Sequence, residues 1–155
     1  MDYLTLKMLH ILGAIIFTGN ITVTALWKVM ADRQRDPRIV AFAQSLVTLT
    51  DFVFTATGAA LIAATGIAMA INFNEEFWRV PWILHGIILF GISGILWAAF
   101  LIPIQVKQAR LAKNFQHDGD IPPEFWRLGR LWMLFGIPAT ILPYVNLYFM
   151  VFRPA

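Results

Sequence analysis

The chain has 155 residues, 59% of them apolar and only 14% charged, with a mean hydropathy of +0.68. Soluble domains carry about a quarter charged residues. This composition therefore excludes a water-soluble globule and a disordered segment, and the absence of cysteine excludes a disulfide scaffold and thiolate metal sites.

A helix needs about 20 apolar residues to cross the hydrocarbon core. The first such run covers about residues 4–30. Met1-Asp2-Tyr3 supplies no basic leader and the run is too long for a cleaved signal, so it reads as a retained helix. Asp36-Pro37 interrupts the polar connection that follows, and residues 39–44 are expected to form a short interfacial lead. The second span takes about residues 46–73, and the short loop from Asn74 to Pro81 makes it an antiparallel neighbour of the third, about 82–106. Residues 116–123 form a turn-rich tip carrying His117, which reads as solvated. The fourth span covers about 131–152. Trp78, Trp82, Trp126 and Trp132 flank the spans as an aromatic belt would. The expected fold is all-α: one polytopic domain over residues 1–155, a bundle of four transmembrane helices.

The formal charge of +3 serves topology. Lys28, Arg33, Arg35 and Arg38 follow the first span, and Lys107, Arg110, Lys113, Arg127 and Arg130 lie between the third and fourth. The opposite side has only Lys7, Arg79 and Arg153, beside Glu75-Glu76. By the positive-inside rule both termini are extracytoplasmic, which suits a multi-pass protein of a bacterial inner membrane. The bilayer is the expected partner, and no nucleic acid is required.

Small residues mark faces where helices meet in lipid. Ala56, Ala60, Ala64 and Ala68 recur at four-residue spacing in the second span, with Gly58 and Gly66 nearby; the third carries Gly86, Gly91, Ser93 and Gly94. Pro103, Pro138 and Pro143 are expected to kink their helices and free backbone carbonyls.

Ionisable groups inside spans are costly and mark function. They are His10, Asp51 and His85. At 1.5 Å per residue, His10 lies about 10 Å and His85 roughly 6 Å below the outer surface, on helices that run parallel. Two imidazoles at matched depth suit a haem b iron between neutral nitrogens. Lys7, Arg79 and Arg153 are candidates to pair with its propionates, and Asn146 and Tyr148 to support the ligands. A faint repeat places Gly19 nine residues after His10 and Gly94 nine after His85. Asp51 follows Thr48 and Thr50 and reads as a helix cap. A structural reading, with each histidine only bonding a neighbouring helix, stands beside these.

The stretches Leu6 to Asn20, Ala31 to Pro37 and Ile102 to Leu111 resemble a family of small bacterial integral membrane proteins of unknown function, over nearly the whole chain. That resemblance implies the four-helix fold and no activity. An early histidine in the first span, and Trp82-Ile83-Leu84-His85 opening the third (one residue longer than that family's Trp-x-His), are more distantly similar to the HemJ-type protoporphyrinogen oxidases. The likeness implies that His10 and His85 are haem-associated. Ala25 and Ile87 stand where that family carries basic residues. Three readings result: a haem-binding redox protein working with quinone or another membrane partner, a porphyrinogen-oxidising enzyme, and an accessory subunit without cofactor. Homo-oligomerisation is compatible with each.

Overall fold

The computed structural model describes residues 1–72, 79–117 and 119–153. Among these residues, four helices are long and apolar enough to cross a membrane: α1 (Tyr3–Gln34), α2 (Pro37–Asn72), α3 (Pro81–Phe115) and α4 (Pro123–Phe152). Among the described residues there is no strand.

Local chemistry sets the starts. Asp2 accepts the Thr5 N–H at 2.7 Å, which caps α1 and holds the Asp2 carboxyl below the usual carboxylate range. Asp36 caps α2 by accepting the Arg38 N–H at 2.8 Å, and Pro37 follows as the first helical residue. Pro81 and Pro123 are likewise the first residues of α3 and α4, there without a side-chain cap. Arg35, left-handed at φ 55°, ends α1 and turns the chain directly into α2.

Three helices are longer at the basic end than the hydropathy suggests. Residues 39–44 are part of continuous α2, not an interfacial lead; α3 runs on to Phe115, and α4 begins at Pro123. The reason is a second core beyond the apolar spans. Val40 and Ala41, Ala112 and Phe115, and Phe125 pack together there, with Phe115 and Phe125 edge to face at 5.3 Å. Lys28 is drawn into this end too. Its side chain is 2% exposed, paired with Asp32 at 2.8 Å, and lies 4.9 Å from the Phe125 ring centroid. Lys28 is therefore an interior ion pair and not a loop charge.

The helices do not pack evenly along their length. At the basic end, α2 lies against both α1 and α3, and α3 against α4. At the other end, residues 56–72 of α2 pack on α1 and residues 81–96 of α3 pack on α4, but those two stretches do not approach one another. The bundle divides there into two hairpins. Phe17 of α1 and Phe90 of α3, 6.1 Å apart between ring centroids, meet across the division.

Two glycine contacts hold the hairpins. A Cβ on Gly58 would sit 2.9 Å from the Phe17 nitrogen, so α1 and α2 cross with backbones nearly touching. A Cβ on Gly86 would lie 2.1 Å from the Met150 methyl and 3.0 Å from the Asn146 oxygen. The alanine stripe does not mark the seam, since Ala60 and Ala64 face outward. Gly91, Gly94 and Gly19 have open space beside them, so the glycines of the faint repeat support no contact. Trp132 is 8% exposed and packs with Val47, Leu101 and Ala139, so it belongs to the core and not to an aromatic belt. Trp78 and most of the Asn74–Pro81 loop lie outside the described residues.

One π-turn interrupts α2 at Asp51–Thr55 and another interrupts α3 at Trp97–Leu101. Asn20 reaches across from α1 and donates to the Thr50 carbonyl at 3.2 Å, a side chain inserted into the helix ladder. In α3, Pro103 lacks the N–H that would bond the Ala99 carbonyl. Pro143 similarly withholds an N–H from the Ala139 carbonyl, and the Ser93 hydroxyl donates to that oxygen at 2.8 Å instead.

Candidate functional site

The two span histidines stand at the divided end on different hairpins. His10, half-buried on α1, lies against Thr65 of α2, with Nδ1 and Oγ1 3.0 Å apart. The Thr65 hydroxyl already donates to the Leu61 carbonyl at 2.6 Å, so it accepts from an Nδ1–H of His10. Gly66 gives the ring its room, since a Cβ there would be 3.3 Å from the imidazole. His85 is exposed on α3; its Nδ1–H donates to the Pro81 carbonyl at 2.6 Å, and the ring stacks on Phe149 of α4 at 5.0 Å. In each neutral imidazole the proton is therefore on Nδ1, leaving Nε2 with its lone pair. The backbones of the α1 and α3 segments that carry them do not come close, and Phe17 and Phe90 meet between them at 6.1 Å.

The remaining candidates sort by hairpin. Asn146 of α4 donates to the Gly86 carbonyl at 3.2 Å, one residue beyond His85, while its buried Oδ1 has no partner. Tyr148 is exposed and packs edge to face on Phe149, the ring that stacks on His85. The Arg153 guanidinium covers the Trp82 ring at 5.0 Å. These groups and His85 form one cluster at the ends of α3 and α4. Arg79 lies just before α3 and is exposed. Lys7 belongs to the other hairpin, exposed on α1 three residues before His10. The structure thus gathers His85, Asn146, Tyr148 and Arg153, and leaves His10 and Lys7 across the division.

Asp51 is not a helix cap. It lies deep inside α2, whose cap is Asp36, and begins the π-turn. Its Oδ1 accepts from the Thr55 hydroxyl at 2.9 Å and the Asn20 amide at 3.3 Å; its Oδ2 accepts from the Trp97 indole at 3.4 Å. The two π-turns are therefore joined through this carboxyl, and helix irregularities of this kind gather at functional sites. A cavity of about 220 Å³ opens beside it, reached by all four helices through Phe17 and Thr24, Asp51 and Thr55, Ser93 and Trp97, and Trp132.

Three glutamines complete the interior. Gln44, Gln105 and Gln108 are fully buried. Gln44 donates to the Gln105 carbonyl at 3.3 Å and Gln108 to the Phe125 carbonyl at 3.2 Å. Both amide ends of Gln105 are without a protein partner, as are the Gln44 and Gln108 oxygens and the Trp27 and Trp132 indole nitrogens. Composition gave no hint of these glutamines, but helical register does. Val40, Gln44 and Val47, and likewise Leu101, Gln105, Gln108 and Ala112, share the buried stripe of one helix.

Comparison with known proteins agrees with the fold. The model of a family described as predicted integral membrane proteins (DUF2269) matches residues 4–154, and the chain belongs to that family. No curated protein and no solved structure matches. The chain is accordingly a multi-pass integral membrane protein whose apolar helix faces contact lipid.

Proposed function

We propose that this protein binds a b-type haem through His10 and His85 near the extracytoplasmic face of a bacterial inner membrane, and exchanges electrons with quinone or another membrane partner. The observation that carries this reading is the shared hydrogen-bond geometry of the two imidazoles, each meeting a protein oxygen through Nδ1. Each has Nδ1–H held by an acceptor, Thr65 Oγ1 or the Pro81 carbonyl, and each keeps a bare Nε2. An Nδ1–H bonded to a protein oxygen is what orients a metal-ligating histidine and raises its basicity. The residues present thus fit an iron porphyrin in donor chemistry, and the division between the hairpins separates the ligand-bearing helices.

The supporting groups have distinct tasks in this reading. Asn146 fixes the backbone beside His85, and Phe149 fixes the ring plane. Lys7, Arg79 and Arg153 supply the positive charge at that end for two propionates. A bound haem would supply one-electron chemistry, its potential set by the two imidazoles and by burial. The cytoplasmic assignment of the basic end follows from Arg33, Arg35, Arg38 and the basic residues of α3 and α4. Porphyrinogen oxidation has less support. Ala25 borders the central cavity and Ile87 is exposed on α3, so neither position supplies a cation.

The test is the haem content of protein purified from haem-replete cells. Wild type should carry haem in fixed ratio to protein, and His10→Ala and His85→Ala should each lose most of it while remaining helical. Equal haem content in wild type and both variants would overturn the assignment.

A further inference from the structure

The central cavity has a chemistry that the outer histidines do not use. Asp51 is 6% exposed and receives three donors, from Thr55, Asn20 and Trp97, with no acceptor in its hydrogen-bond set. Those donors are what the charged carboxylate needs, while burial works against that form. None of the residues lining the cavity is basic. The nearest buried cation on α1, Lys28, is committed to Asp32 at 2.8 Å. A buried negative charge without a counter-charge is costly, and a ligand that brings the positive charge removes that cost.

The walls describe the rest of that ligand. Phe17, Trp97 and Trp132 contribute aromatic rings, and Ile21, Leu101, Ile137 and Ile141 contribute aliphatic surface. Aromatic faces beside a carboxylate suit an ammonium group with apolar substituents. A cavity of about 150 Å³ takes benzene, so 220 Å³ suits a single ring or short chain with a small head group. Ile137 and Ile141 are each 53% exposed as well as lining the cavity, so it opens sideways into lipid between α1 and α4.

We infer that the cavity at Asp51 is a binding site for a small apolar ammonium cation entering from the bilayer. The Asp51 carboxylate pairs with the charge, and the rings of Phe17, Trp97 and Trp132 surround its substituents. The site is independent of the histidines and of the haem reading.

Benzyltrimethylammonium is a suitable probe, and neopentylbenzene is its uncharged counterpart of the same shape. Calorimetric titration of the detergent-purified full chain should give saturable binding of the cation and much weaker binding of the neutral molecule. Asp51→Asn keeps a polar group of the same size and should weaken the cation by roughly tenfold or more. Gly136→Leu is the second variant. A Cβ there meets only the Leu101 methyl at 3.8 Å, so the added side chain has room to fill the cavity and block binding without unfolding the bundle. Met8→Ala, at an exposed α1 position that does not line the cavity, should bind the cation like wild type. Failure of wild type to bind, equal affinity for the neutral molecule, or unchanged affinity in both variants would overturn the proposal.

Discussion

Single side chains in this protein take over bonds that the backbone has lost. Pro143 leaves the Ala139 carbonyl without its helical donor, and the buried Ser93 hydroxyl supplies one from a different helix. Ser93→Ala should therefore destabilise the fold by about 1–2 kcal/mol, since it leaves a buried acceptor unpaired. Reversible unfolding in mixed micelles would measure this, and Ser93→Thr should recover most of the loss. His10 can be tested apart from any cofactor. If its bond to Thr65 is its whole role, His10→Gln should keep both stability and haem content; the haem reading expects stability to be retained and haem to be lost. The histidines were legible because a charge-capable ring in an apolar run stands out. Asp51 was misread because Thr48, Thr50 and Asp51 before an apolar run match a cap signature. The real cap, Asp36 followed by Pro37, lies one element boundary earlier. Only Asn20 on another helix reveals what Asp51 does, and local sequence cannot supply that pairing.

At the scale of helices, small residues divide into those that permit contact and those that only look as though they do. A Cβ added at Gly58 would lie 2.9 Å from the α1 backbone, so even alanine forces the crossing apart; Gly58→Ala should cost about 1–3 kcal/mol. Gly19, Gly91 and Gly94 have nothing within 4 Å and sit in helix interiors. Alanine at any of the three should be neutral or stabilising by up to about 1 kcal/mol. The same unfolding assay checks both, and a Gly58→Ala variant no weaker than Gly91→Ala would refute the crossing. The spans themselves were readable to within a few residues in their apolar parts. Their extensions at the basic end were not, because residues 37–45, 107–115 and 123–130 mix charge with apolar residues whose value depends on meeting one another. Val40, Ala112, Phe115 and Phe125 form a core only after the helices have assembled.

For the whole molecule, the charge pattern and the packing pattern point the same way. The basic end is closed by interior contacts, and the end with the termini is divided into two hairpins. The chain has no cysteine, so single engineered cysteines report sidedness cleanly. In intact spheroplasts an impermeant maleimide should label Asn72→Cys and spare Lys113→Cys until the membrane is opened; both positions are exposed at helix ends. The reverse pattern would invert the topology and move the histidines to the cytoplasmic side. The most direct measurement of the functional account is the absorption spectrum of the purified wild-type protein, oxidised and then reduced with dithionite. The account predicts a Soret band that shifts to the red on reduction, together with the sharp visible bands of a low-spin bis-histidine haem. A colourless preparation from cells with ample haem would contradict it.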